Sequence, residues 1–136
     1  MSSHMNFRSC VDAIESGYEF MLAYAAQGRD QEGGGGGGPS IRSLLETMST
    51  ALGSIGDAVQ TEIKNGSGAN AAQLLQFTEV LAADARKAKA AVDLALSVPS
   101  IGSQIVDNLN ASVHLRALLT SIFLIDEALR LSRGPT

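Results

Sequence analysis

Six consecutive glycines, Gly33 to Gly38, fit no helix or strand, and they divide this chain of 136 residues before anything else in it is read. Ordering such a run removes more backbone entropy than its missing side chains can return in contacts, so residues 31–39 are expected to be a mobile connection. A phosphate-cradling loop would lead into Lys-Ser/Thr at a helix start, whereas this run leads into Pro39-Ser40-Ile41. Two further interruptions follow, Asn65-Gly66-Ser67-Gly68 and Val98-Pro99-Ser100. Four blocks remain, each with apolar residues recurring at the α-helical period.

In the first block Phe7, Val11, Ile14, Tyr18, Met21 and Ala25 are spaced alternately four and three apart, which predicts a helix over 7–28 with Gly28 as its stop. Ser40 is placed to cap a second helix over 40–64, whose face reads Ile41, Leu45, Met48, Leu52, Ile55 and Val59. Gly53 and Gly56 on that helix suit a close neighbour. The third helix, over 70–97, carries Leu74, Phe77 and Leu81 and then a small-faced half at Ala85, Ala88 and Ala95. After Pro99, Ser100 is placed to cap a fourth helix over 100–132. Its seam reads Ile101, Ile105, Asn108, Ser112, Leu115, Leu119, Ile122, Asp126 and Leu129.

The expected fold is all-α, an antiparallel four-helix bundle running up-down-up-down, with the glycine-rich connection between its first and second helices. A 45% hydrophobic and 18% charged composition, rich in alanine and leucine, suits one helical domain over residues 5–136. Met1-Ser2-Ser3-His4 reads as vector-derived, so residues 1–4 carry no functional weight.

Several function classes fall away on composition. A net charge of −4 with scattered basic residues argues against nucleic acid. The single cysteine, Cys10, permits no intrachain disulfide, and no apolar run reaches the ~20 residues of a bilayer span, so a cytoplasmic protein off the membrane is expected. A di-metal carboxylate bundle needs two Glu-x-x-His pairs, which are absent, and no metal is expected. Met21 and Met48 are regular members of apolar seams rather than axial partners for His114, and no cofactor is expected.

Three polar residues on the fourth seam are the candidate ligand-binding positions. Asn108 and Ser112 lie one turn apart, and Asp126 falls among Leu115, Leu118, Leu119, Ile122, Ile125 and Leu129, where a carboxylate needs a partner or an exit to water. Tyr18 or Tyr24 of the first helix could bring a hydroxyl to them. The only histidine outside the leading tetrapeptide gives the candidate reactive group. Its segment, Val113-His114-Leu115-Arg116-Ala117, loosely resembles the histidine-phosphotransfer bundles, although Ala117 and Leu118 stand where that pattern has its lysine and glycine. The resemblance implies a phosphorelay role for His114.

Surplus apolar residues point to a partner. Leu124 and Leu131 fall on the opposite side of the fourth helix from Leu115 and Ile122, while Phe20 and Leu22 widen the face of the first. Asp12, Glu15, Glu19, Asp30 and Glu32 outnumber Arg8 and Arg29 around the first helix and offer an acidic rim. The expected function is non-enzymatic: a bundle that forms a homodimer through Phe20, Leu22, Leu124 and Leu131 and binds another protein as a regulatory, adaptor or chaperone-like module. The alternatives are a small-molecule binder or slow enzyme using Asn108, Ser112 and Asp126, and the relay on His114.

Overall fold

A computed structural model describes residues 5–33, 40–66 and 68–132. The expected vector residues 1–4 and most of the expected mobile connection, residues 34–39, lie outside the described residues. Among those described, the chain is all-helical with five helices and no strand: α1 Phe7–Ala26, α2 Ile41–Gly66, α3 Ala71–Leu96, α4 Ser103–Ala111 and α5 Val113–Ser132.

The helix ends follow from local chemistry. Asn6 caps α1, its side chain accepting from the Ser9 N–H at 2.7 Å, and Gly28 leaves the helix with a φ of +66°, a conformation that glycine adopts without strain. Ser40 caps α2 by accepting from the Ser43 N–H at 3.0 Å. Ser100 does not cap the helix that follows it. Its hydroxyl accepts instead from the Glu32 N–H at 2.9 Å, and the capping position passes to Gly102. Glycine is required there by space, because a Cβ on residue 102 would stand 2.8 Å from the Asp30 carbonyl oxygen and 3.0 Å from that of Arg29.

The helix expected over 100–132 is two helices. Ser112 adopts an extended conformation, φ −61° and ψ 128°, and the axes of α4 and α5 differ by 53° across it. The break is chemically complete. The Ser112 N–H closes α4 on the Leu109 carbonyl at 3.0 Å, and its hydroxyl opens α5 by accepting from the His114 N–H at 3.2 Å. Asn108, Asn110 and Ser112 are poor helix-interior residues that compete for backbone hydrogen bonds, which is why the interruption falls here.

One hydrophobic cluster joins all five helices, with Ile14, Met48, Ile55, Leu81, Leu118 and Ile122 fully buried. Helix α2 packs on α1 and α3, α3 packs on α5, and α4 packs mainly on α1. The α2–α3 contact is a ladder. The Arg42 guanidinium reaches the Leu96 carbonyl, Ser49 reaches Asp93, a Cβ on Gly53 would meet Lys89, and one on Gly56 would lie 3.3 Å from Ala82. No single helix is long and apolar enough to cross a membrane. The α4–α5 pair reaches that length only across its bend, and its apolar side is spent on the core, where Leu115, Leu118 and Ile122 are fully buried.

Candidate functional site: an apolar flank

The polar residues of the fourth seam do not form one site. Asn108 is exposed and lies 3.5 Å from the Gln104 side chain, while Ser112 is occupied in capping α5. Both line a shallow groove with Ala91, Leu94, Ala95, Ile105 and Leu109, between the end of α3 and α4. Asp126 is far down α5, at the surface and not in the apolar interior. It accepts from Arg8 of α1 at 3.1 and 3.3 Å, with the two side chains 57% and 40% exposed. The recess around that pair also includes Phe7, Glu62, Leu129 and Arg130, none of which belongs to the Asn108 groove. Length along the helix separates Ser112 from Asp126, 14 residues or about 21 Å at 1.5 Å per residue, and the 53° bend turns Asn108 further from that line.

The tyrosine that reaches the entrance of α4 is Tyr24. Its hydroxyl donates to the Ile101 carbonyl at 2.5 Å, and burial is the main reason its acidity is weakened, with the Arg29 guanidinium 5.7 Å from the ring acting in the other direction. Tyr18 is half-buried against the core.

A polar latch surrounds Tyr24. Ser103 donates to the Tyr24 carbonyl at 2.7 Å and accepts from the Arg29 N–H at 2.8 Å. Beside it Arg42 donates to Glu32 at 2.7 and 3.0 Å and to the carbonyls of Leu96 and Val98, while Glu32 also accepts from the Ile101 N–H. The hydrogen bond from Arg42 is the leading reason that the Glu32 carboxyl is held below its ordinary value. Glu32 therefore faces the fold and leaves the acidic rim to Asp12, Glu15, Glu19 and Asp30. The latch joins the exit of α1, the head of α2 and the 96–103 connection, and its donors and acceptors answer one another.

Cys10 and His114 stand in opposite surroundings. Cys10 is completely buried, and burial pushes its thiol up to about 11, which suppresses the thiolate that reaction or metal binding would need. His114 is exposed in the first turn of α5, and its side chain makes no hydrogen bond to a described residue. No group of three or more His, Cys, Asp or Glu able to hold a metal ion occurs among the described residues.

The apolar candidates divide into two groups. Phe20 is half-buried and stacks on Tyr24 with centroids 6.4 Å apart, and Leu22 beside it is exposed. These two lie at the end of α1 that meets Ile101. Leu124 and Leu131 lie on α5 toward the end that meets Arg8, so no single patch contains all four. Leu124 instead faces α3, sharing a groove with Leu74, Phe77, Ile125 and Ala128.

Four more exposed apolar residues were not singled out by the main seams: Val80 and Leu94 on α3, and Val113 and Phe123 on α5. For Val80 and Leu94 the signal was present as a second seam on α3, displaced by one residue from the buried one. Val80 sits next to buried Leu81, and Leu94 next to buried Ala95. With Phe77, Val80 and Leu94 make an apolar flank along α3, with one groove toward each end, shared with Leu124 of α5 and with Ile105 and Leu109 of α4. No family model, curated protein or solved structure matches this chain.

Proposed function

We propose that the chain is an antiparallel helical bundle of four rods, α4 and α5 together forming the last, and that it self-associates and binds another protein as a regulatory, adaptor or chaperone-like module. The rod directions are supported by end-to-end pairing. Arg42 at the head of α2 bonds to the tail of α3, and Arg8 at the head of α1 bonds to the tail of α5. A buried lone cysteine suits a reducing, cytoplasmic setting.

The observation that carries the binding role is the exposure of large apolar side chains outside a core that is already closed. Val80, Leu94, Val113, Leu124 and Leu131 are 48–68% exposed, while the buried seams of the same helices are complete without them. Single exposed leucines are ordinary, but Leu124 and Leu94 each line an apolar groove beside α3, and exposed apolar side chains at a groove are the usual mark of a protein contact.

Sedimentation velocity on the wild type and on a Leu124→Glu/Leu131→Glu variant tests this reading. The wild type is expected to sediment as a dimer and the variant as a monomer with unchanged helical circular dichroism. A wild type that stays monomeric at high protein concentration overturns self-association.

A further inference from the structure

We infer that the α3 flank binds a second copy of this chain, the two α3 helices lying antiparallel about a two-fold axis that passes between Asp84 and Lys87. This rests on the self-association proposed above and specifies its geometry.

The outer seam of α3 runs Phe77, Val80, Asp84, Lys87, Ala91 and Leu94, spaced alternately three and four apart. Each member precedes a residue that α3 buries: Thr78, Leu81, Ala85, Ala88, Val92 and Ala95. The seam therefore forms a stripe about 100° around the helix from the core, and about 26 Å long at 1.5 Å per residue. Val80 and Leu94 are 48% and 68% exposed, Phe77, Asp84 and Ala91 are half-buried, and Lys87 is exposed.

The order of residue types along this stripe is self-complementary. Reversed and laid against itself about the midpoint of Asp84 and Lys87, it brings Phe77 opposite Leu94 of the second copy, Val80 opposite Ala91, and Asp84 opposite Lys87. The outer layers become apolar and the central two become opposite-charge pairs. A parallel pairing in register sets Asp84 against Asp84 and Lys87 against Lys87, so electrostatics chooses the antiparallel direction. An isologous two-fold contact needs a patch complementary to itself, and this one is.

The two grooves agree with the same axis. One lies at the Phe77 end, lined by Leu74, Leu124 and Ala128, and the other at the Leu94 end, lined by Ala91, Ile105 and Leu109. In the antiparallel pair Leu94 of each copy enters the Phe77 groove of the other. The central charges are also prepared. One Asp84 carboxylate oxygen accepts from Ser121 of α5 at 2.6 Å, which fixes the carboxylate at the seam, and Lys87 makes no ion pair among the described residues.

Charge reversal and cysteine cross-linking test the geometry, with dimerisation measured by sedimentation equilibrium. Asp84→Lys alone and Lys87→Asp alone should each weaken self-association about tenfold or more by setting like charges across the axis. The double variant Asp84→Lys/Lys87→Asp should recover it. Under oxidation, Val80→Cys mixed with Ala91→Cys should give a covalent dimer containing one of each. Val80→Cys alone should not, because two copies of position 80 lie about 16 Å apart along the axis, beyond disulfide reach. Cys10 is buried and does not compete. A wild-type monomer overturns self-association altogether. A wild-type dimer that ignores both charge reversals, or a Val80→Cys chain that cross-links to itself, overturns this two-fold and leaves self-association standing.

Discussion

Tyr24 and Ile101 are joined by a 2.5 Å hydrogen bond from the phenol to the backbone carbonyl, 77 residues apart in sequence, and this bond ties the last turn of α1 to the entrance of α4. Ser103 completes the junction by bonding to the Tyr24 carbonyl and the Arg29 N–H. Tyr24→Phe keeps the ring and its stacking on Phe20 but leaves a buried carbonyl without its donor. We expect a loss of about 1–2 kcal/mol in urea unfolding, the usual cost of an orphaned buried acceptor. An unchanged midpoint would mean that the phenol contributes no net stability.

The latch should also make stability depend on acid. In the fold the Glu32 carboxyl lies below its ordinary value of 4.5, chiefly through the hydrogen bond from Arg42, and the Asp93 carboxyl lies below 3.8, chiefly through Lys89 and then Ser49. A depressed carboxyl stabilises the fold fully above its unfolded value and loses that contribution as pH falls through the folded value. Urea midpoints should therefore hold steady above about pH 5 and fall below about pH 4.5. Glu32→Gln should lower the midpoint at pH 7 and flatten the decline, and an equally steep decline in that variant would remove Glu32 as its source.

Asp126 leads to the opposite expectation. Read within an apolar seam, it needed a partner or an exit to water, and it has both, in Arg8 and in its place at the surface. Its ion pair with Arg8 is largely solvated, and exposed pairs contribute little. Asp126→Asn should change stability by less than about 0.5 kcal/mol, measured by thermal or urea unfolding. A loss several times larger would show the pair to be coupled to the fold.

Why Asn108 and Ser112 left the buried line is a matter of helical phase. The seam Ile101, Ile105, Asn108, Ser112, Leu115, Leu119, Ile122, Asp126, Leu129 assumes one unbroken helix, yet α4 buries Ser103, Val106, Leu109 and Asn110, and α5 buries Leu118 and Ile125 in addition to Leu115, Leu119, Ile122 and Leu129. Asn108 and Ser112 were off the buried line because the chain changes direction after Ala111. Asp126 keeps the phase of buried Leu115, Leu119, Ile122 and Leu129 and lies on the side of that face where Arg8 of α1 meets it. Asn108 and Ser112, polar residues in an apolar seam, marked the end of one helix and the start of the next. By contrast α1, α2 and α3 end within about two residues of their expected limits, because Gly28, Ser40 and the Asn65–Gly68 segment act locally. The latch was illegible, since nothing in the spacing of Glu32, Arg42 and Ile101 indicates that three connections meet.

Ser112 gives a direct measure of the break. Its hydroxyl caps α5 while its extended backbone ends α4, so Ser112→Ala removes the cap and also favours continuing the helix. A straight rod would pull α4 off α1, where Ser103 and Ile101 are held by Tyr24 and Arg29. Stability should fall by about 1 kcal/mol, and Ser112→Asp, which keeps a capping acceptor, should recover most of it. Equal losses in both variants would show that the hydroxyl does not hold the bend.

Gly102 should be the least replaceable residue of the 98–103 connection. It lies at φ −88°, open to any residue, so the constraint is contact rather than conformation. The Asp30 and Arg29 carbonyl oxygens stand 2.8 and 3.0 Å from where a Cβ would be, and the Arg29 carbonyl is also held by the Ser103 N–H at 2.7 Å. Backbone fixed in this way cannot retreat as a flexible side chain would. Gly102→Ala should therefore separate the α1 exit from the head of α4 and cost about 1–3 kcal/mol. Gly53→Ala is the control, because its new methyl meets only the movable Lys89 side chain, at 3.3 Å, and gains helix propensity. Urea unfolding of the two alanine variants should give opposite signs relative to wild type, and similar losses in both would mean that the Gly102 contact has no special weight.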